Sequence, residues 1–211
     1  MNLSQVSTRV KDLIRTALIS VYDKTGLQEL AAMLVKHSVK ILASGGTART
    51  IRNLGHAVTE VGEYTGFPES PDGLLKTLHP KIHGGLLMDP GNPVHMAYMK
   101  AQHVETIDLL VVNLYPFEET IRNEAVSEKK AFENIDIGGP AMIRAAAKGA
   151  LLHGRPAVVT DPSQYSVIAE GLENRSGMLP PQAIRGLAIK AFEMTAGYEC
   201  AISGYLSRVS G

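Results

Sequence analysis

Apolar residues along the chain fall into short buried runs separated by stretches with helical spacing. Thr16-Ala17-Leu18-Ile19-Ser20-Val21 is short, apolar and partly β-branched, which predicts a buried strand. Leu27, Leu30, Ala31 and Leu34 then repeat at the period of a helix running from Leu27 to His37. Val39 to Ala43 predicts a second buried strand. It leads through Ser44-Gly45-Gly46-Thr47 into a helix from Ala48 to Leu54, which Gly55 stops. Ala57 to Val61 predicts a third strand. Such alternation predicts an α/β fold with parallel strands and right-handed crossovers. In such sheets ligands sit beyond the carboxyl ends of the strands, where Ser20, Lys24, Ser44 and Thr47 fall.

The second half continues the pattern. Ile82 to Met88 is a short apolar run, Asn92 to His103 predicts a helix, and Ile107 to Asn113 predicts a strand ending at Leu114-Tyr115-Pro116-Phe117. Ser127 to Asn134 predicts a helix. Ile135 to Pro140 predicts a turn, and an Ala-rich helix follows over 141–150 with Pro140 as its first residue. Pro156 to Thr160 predicts the last strand, Asp161-Pro162 caps the next helix, and Pro180 to Leu206 predicts one long C-terminal helix. A short helix is expected over Leu3 to Leu13. Nothing marks a linker, so one domain is expected over 1–211, with 1–14 as an N-terminal extension and 180–207 as a C-terminal helix.

Between these halves lies a stretch with neither period, Thr65 to Pro80, too rich in Pro and Gly for a helix. Loops of this length in compact domains are commonly functional. Phe67, Leu74, Leu75 and Leu78 predict apolar anchors for it, and Lys76 among them predicts a positioned charge facing an anion.

Composition narrows the classes. The 211 residues include 45% hydrophobic residues, enough for a sizeable core. Lys plus Arg equals Asp plus Glu at 21 each, so no bulk field attracts nucleic acid or an anionic membrane, and an anion site must be local. The single cysteine, Cys200, excludes an internal disulfide and a thiolate zinc cluster, and fits a reducing cytoplasm. No apolar run reaches the length of a membrane span, and residues 1–12 lack the apolar core of a secretion signal.

Three motifs carry candidate chemistry, each with a plainer reading beside it. Ser44-Gly45-Gly46-Thr47 brings glycines, hydroxyls and a helix N-terminus together, as a phosphate site requires, and an ordinary tight turn would look the same. Lys24 and Lys76 tilt the balance towards phosphate. Ile135-Asp136-Ile137-Gly138-Gly139 offers backbone N–H groups to an oxyanion, or Asp136 as a helix cap. His79 and His83 are spaced four apart, but Pro80 intervenes and no third ligand stands out, so no metal site is expected. Arg144 and Lys148 on the Ala-rich helix complement its dipole. Asp136 and Lys148 would lie roughly 18 Å apart along one helix, so they share a substrate only if the chain bends or a second subunit contributes one of them.

Seven segments together resemble the inosine monophosphate (IMP) cyclohydrolase domain of the bifunctional purine-biosynthesis protein. They are Asp23-Lys24-Thr25-Gly26, Ser44-Gly45-Gly46-Thr47-Ala48, Thr65-Gly66-Phe67-Pro68-Glu69, Lys76-Thr77-Leu78-His79-Pro80, Asn113-Leu114-Tyr115-Pro116-Phe117, Ile135-Asp136-Ile137-Gly138-Gly139 and Arg144-Ala145-Ala146-Ala147-Lys148. The resemblance implies a methylglyoxal-synthase-like α/β fold with a mainly parallel sheet. It implies closure of 5-formamidoimidazole-4-carboxamide ribonucleotide, or a close analogue, to inosine monophosphate or its analogue with loss of water, without metal or organic cofactor. It implies Lys76, Tyr115, Asp136 and Lys148 as the catalytic group. It implies a nucleotide held by Ser20, Lys24, Ser44, Gly45, Gly46, Thr47, Thr77, Asn113, Ile137, Gly138 and Gly139, a cytoplasmic location and a homodimer. The family's folate-dependent formyltransferase domain is not expected in this chain.

Departures from the family pattern are Tyr22 for serine, Leu74 for arginine, Gly149 for asparagine, and Ser70-Pro71 for Met-like residues; these are expected to lie at the site and to bear on substrate identity. The rival reading is a nucleotide-sensing domain of the same fold, which would have no need of all four catalytic residues. Methylglyoxal synthase itself ranks last, since its phosphate loop and aspartates are not matched.

Overall fold

The computed structural model describes residues 13–68, 70, 73, 75–122 and 126–209. Its strands are β1 Thr16–Val21, β2 Lys40–Ala43, β3 Thr59–Glu60, β4 Leu109–Asn113 and β5 Ala157–Val159. They form one parallel sheet in the order β3-β2-β1-β4-β5. The helices are α1 Leu27–Lys36, α2 Gly45–Asn53, α3 Val61–Thr65, α4 Pro80–Leu87, α5 Pro93–Ala101, α6 Phe117–Arg122, α7 Glu128–Glu133, α8 Gly138–His153, α9 Tyr165–Asn174 and α10 Pro181–Val209.

A parallel sheet buries both faces, and alternate residues of each strand serve the two layers. Ala17, Ile19, Leu109 and Val111 point to one side, where Leu27, Leu30 and Leu34 of α1 and Ile168 and Leu172 of α9 close over them. Leu18, Leu42, Leu110 and Val112 point to the other, against Ile82 and Leu86 of α4, Ile143, Ala146 and Ala147 of α8, and Ala188 and Ala191 of α10. The small residues of α8 let α4 and α10 approach closely. A side chain at Gly149 would strike the Leu86 carbonyl and come within 3.1 Å of the Arg155 carbonyl. Gly149 is therefore a packing requirement between α8 and its neighbours and does not face the strand ends, contrary to its expected place at the site.

Other differences from the sequence reading have physical reasons. The third strand is only two residues long, because Val61 opens α3, which buries that side chain at 1% exposure. The Ala-rich helix starts at Gly138, two residues before Pro140, since the first-turn N–H groups need no partner within the helix and proline is tolerated there. Among the described residues, the expected apolar anchors of the long loop are not buried. Phe67 and Leu75 are more than half exposed, at 57% and 53%, and Leu78 is also exposed. Hydrogen bonds organise it instead: Ser70 accepts from Gly73 N–H through its carbonyl at 2.9 Å and from Leu75 N–H through its hydroxyl at 3.0 Å. Among the described residues of that stretch Thr65 and Thr77 are buried. The helix expected over Leu3 to Leu13 lies almost wholly outside the described residues, and Leu74 and Pro71 lie outside them as well.

α10 is more than a tail. Ile202 and Tyr205 near its end form a third apolar cluster with Phe117 of α6 and Ala131 of α7. Strands β1 and β4 are neighbours whose following connections leave in opposite directions, β1 towards β2 and β4 towards β5. A crevice opens at the carboxyl ends of such a pair.

Candidate active site

A cavity of about 450 Å³ occupies that crevice. β1 contributes Ser20 and the turn after it Tyr22 and Lys24; the start of α2 adds Gly46 and Thr47, and Ser44 precedes it. The long loop contributes Lys76 and Thr77. Asn113 and Tyr115 come from the end of β4, and Asp136, Ile137, Gly138 and Gly139 from the entry to α8. Residues scattered over more than a hundred positions thus meet because every contributing strand ends on the same side of the sheet.

The phosphate-like end is built from short polar side chains. The Ser20 and Ser44 hydroxyls lie 3.1 Å apart, joining the ends of β1 and β2. Gly45 has a left-handed φ of 48°, which favours glycine, and its atoms line a neighbouring cavity. A Cβ on Gly46 would meet nothing within 4 Å, so its backbone is open to an approaching anion. Thr47 behaves differently from a simple anion donor. Its hydroxyl donates to the Val21 carbonyl and lies 3.1 Å from the Val21 N–H, which it accepts, so it pins α2 to β1. Lys24 donates to the Tyr22 carbonyl at 3.3 Å.

Asn113 is a clamp. Its carbonyl oxygen accepts from Tyr22 N–H at 2.7 Å and Asp23 N–H at 2.9 Å, while its amide donates to the Asp23 carbonyl at 2.9 Å. Its side chain shapes the Lys24 turn from across the β1–β4 crevice. Within that turn Asp23 accepts from the N–H and hydroxyl of Thr25, which holds its carboxyl below the usual carboxylate range.

At the other end, Asp136 combines both readings of its motif. One carboxylate oxygen accepts from Gly139 N–H at 2.9 Å, capping α8, and the carboxylate still lines the cavity. Its own N–H donates to the Tyr198 hydroxyl of α10 at 2.8 Å. Glycine is required twice here. A Cβ on Gly138 would strike the Thr77 hydroxyl, and one on Gly139 would strike Leu114 and lie 2.5 Å from the Asp136 carboxylate. The loop carrying Lys76 and the helix carrying Asp136 therefore interlock through the backbone of α8. Ile137, Gly138 and Gly139 at the entry to α8 line the same space, and a helix N-terminus there favours negative charge.

Lys76 borders two cavities, the one described and a second of about 440 Å³ lined by Gly62, Phe67, Leu78 and His79 among others. His79 is spent on structure: its Nδ1 accepts from Lys81 N–H at 3.1 Å as the cap of α4. Among the described residues no cluster of histidine, cysteine, aspartate or glutamate could hold a metal ion. Of the sequence-derived catalytic group, Lys76, Tyr115 and Asp136 share one cavity. Lys148 does not: it is exposed on α8, ten residues and about 15 Å of helix beyond Gly138. Tyr22 does lie at the site, meeting Tyr115 edge-on with ring centroids 4.6 Å apart. Tyr198 is a contributor that sequence reasoning missed, since its contact with Asp136 spans 62 positions and α10 shows no motif there.

Comparison with known proteins gives the family. The family described as the MGS-like domain matches residues 26–141, more than half of the chain. The chain belongs to the MGS-like domain family. A second family, described as the AICARFT/IMPCHase bienzyme, matches residues 146–211, so the two together take in β2 to β5 and α10, while β1 precedes the first match. The MGS-like chain is 46% identical over 198 residues to the bifunctional purine biosynthesis protein PurH from each of two strains of Leptospira biflexa serovar Patoc. Each match takes in 94% of this chain and 38% of the relative, so the chain spans well under half the length of the curated relatives it matches. Among solved structures, the crystal structure of ForH superposes with a TM-score of 0.77 at 29% identity, covering 90% of this chain and 97% of that one. No helix among the described residues is long and apolar enough to cross a membrane.

Proposed function

We propose that the chain is a cyclohydrolase that closes 5-formamidoimidazole-4-carboxamide ribonucleotide, or a close analogue, to inosine monophosphate or its analogue with release of water. The observation that carries this reading is the convergence of Lys76, Tyr115 and Asp136 on one cavity whose far end is a cradle of Ser20, Lys24, Ser44 and Gly46. The identity to PurH, a protein whose name places it in purine biosynthesis, supports the same assignment. A cytoplasmic location and a soluble nucleotide substrate go with it.

The chemistry follows from the positions. The 5′-phosphate lies at the cradle, against the open backbone of Gly46 and the ammonium group of Lys24. The carboxamide nitrogen must attack the formyl carbon, and an amide nitrogen is a poor nucleophile unless a hydrogen-bond acceptor helps it. Asp136 takes that part with the carboxylate oxygen not spent on Gly139. As the C–N bond forms, the formyl oxygen becomes an oxyanion. Lys76 and the N–H groups of Ile137 and Gly138 stabilise it, and oriented donors of this kind act without reorganising. Asp136, having taken a proton from the carboxamide nitrogen, returns it to the oxyanion. Tyr115 then protonates the resulting hydroxyl as it leaves as water and regains its proton from the formamide nitrogen as the ring C=N bond forms.

Lys148 has no place in this cavity within one chain. The reading assigns it to the site of a second copy in a homodimer, supported by its exposure on α8. Inactive Lys76→Ala and inactive Lys148→Ala proteins, mixed and re-equilibrated, then recover part of the activity. Failure of the mixture to recover, with each variant folded, removes the shared-site assignment. The activity itself is tested by chromatography and mass measurement of the product from the formamido nucleotide. Dehydrated, ring-closed product from the natural chain and none from Lys76→Ala is expected; nucleotide bound without product overturns the reading in favour of a sensor.

A further inference from the structure

We propose that Tyr22 is a positioning residue that sets the orientation of Tyr115, an inference that rests on the cyclohydrolase reading for its kinetic consequence but not for its geometry. Tyr115 sits in the irregular segment between β4 and α6, half-buried, with its carbonyl accepting from Phe117 N–H at 2.8 Å. Tyr22 directly follows β1, and although its side chain is exposed its backbone is tied down. Its N–H donates to Asn113 at 2.7 Å and its carbonyl accepts from Lys24 at 3.3 Å, so its backbone is fixed between β1 and β4. The two rings meet edge-on, 4.6 Å between centroids and 65° between planes, the arrangement that aromatic quadrupoles favour. Both side chains line the same cavity as Asp136 and Lys24. The pinned Tyr22 backbone keeps its ring against that of Tyr115, so the edge-on contact limits the orientations open to the Tyr115 ring.

The electrostatics agree. The Tyr115 phenol is the foremost influence on Tyr22 and pushes it above the ordinary tyrosine value, with burial, a hydrogen bond to Tyr115 and the charge of Glu119 adding to it. Tyr22 thus stays protonated and presents a neutral hydroxyl beside the phenol that handles the proton. No step of the ring closure is assigned to Tyr22 itself.

Tyr22→Ala removes the ring and Tyr22→Phe keeps it. The expected result for Tyr22→Ala is a fall in kcat of about tenfold, the size of a lost edge-on pair, with KM changing much less. Tyr22→Phe recovers most of that loss. Equal kcat in Tyr22→Ala and the natural chain overturns the inference. A second readout is independent of turnover. In protein labelled with 3-fluorotyrosine, the fluorine resonance of Tyr115, identified by its disappearance in Tyr115→Phe, is expected to shift and broaden in Tyr22→Ala and to stay narrow in Tyr22→Phe. An unmoved Tyr115 resonance in Tyr22→Ala overturns the positioning role. Absence of turnover in the natural chain with a Tyr115 resonance that still responds to Tyr22→Ala counts against the cyclohydrolase reading alone.

Discussion

At the scale of single residues, the site reuses a few side chains for both structure and chemistry. Asp136 caps α8 with one oxygen and faces the cavity, so asparagine and alanine separate its two duties. Asp136→Asn keeps an acceptor for Gly139 N–H and is expected to fold normally, while kcat falls about 10²-fold or more for want of an anionic acceptor. Asp136→Ala adds the loss of the cap, about 1 kcal/mol in urea unfolding. Equal activity of Asp136→Asn and the natural chain would remove Asp136 from the chemistry. Asn113 was expected as a substrate contact, and its three hydrogen bonds to the Tyr22–Asp23 backbone assign it to the turn. Asn113→Ala is expected to lower stability by about 1–2 kcal/mol, because these bonds are partly solvated, and to weaken nucleotide binding through Lys24. Calorimetric titration with inosine monophosphate checks the second effect; unaltered affinity would free Lys24 from the clamp.

Residue types and order were legible in the sequence, since the glycines, hydroxyls and charges sit at strand ends that hydrophobic runs mark out. Burial of the loop was not. Phe67 and Leu75 are apolar yet exposed, because Ser70 ties the loop through hydrogen bonds that periodicity does not register. Nor was the use of Thr47, whose hydroxyl faces inward to Val21.

At the scale of elements, helix entries do most of the positioning. α4 begins at the His79 cap and holds His83 one turn later, where it makes a backbone hydrogen bond with Thr77. Burial lowers the His83 pKa from its ordinary 6.5, and the bond with Thr77 opposes that shift only in part. The unfolded chain therefore takes the proton more readily. The stability contributed by neutral His83 is complete above the unfolded value and is lost as pH falls below it through the folded value. His79 shifts the same way, through burial and then the charge of Lys81. The urea midpoint is expected to fall between pH 7 and pH 5, with a smaller fall in His83→Gln. A slope unchanged by that substitution would place the acid sensitivity elsewhere.

α10 reaches the site from the far end of the chain. The Tyr198 hydroxyl accepts from Asp136 N–H, and burial raises its pKa above the ordinary tyrosine value. Tyr198→Phe is expected to cost about 1 kcal/mol and to lower kcat several-fold, as Asp136 loses its backbone anchor. Unchanged kinetics in a destabilised Tyr198→Phe would make the contact purely structural. The sequence marks α10 clearly as a helix, but a pairing across 62 positions leaves no local trace.

At the scale of the whole molecule, sheet order explains why one cavity collects these groups. Short apolar runs alternating with helical periods predict parallel strands, and the five strands are parallel throughout. The order β3-β2-β1-β4-β5 places the crevice between β1 and β4, and Ser20, Lys24, Ser44, Gly46 and Thr47 line the cavity there, while Gly45 lines a neighbouring one. Strand order is a matter of crossovers, which hydrophobic pattern does not encode. Spacing alone sets Asp136 and Lys148 roughly 18 Å apart along one helix; the fold adds that the helix runs unbroken from Gly138 and leaves Lys148 exposed outside the cavity.

Ring closure can be watched directly, by ultraviolet absorbance of the purified chain mixed with 5-formamidoimidazole-4-carboxamide ribonucleotide beside a Lys76→Ala control. The account predicts a time-dependent rise ending in the spectrum of inosine monophosphate, lost in the control while nucleotide binding persists. A flat trace from a natural chain that binds the nucleotide would contradict it.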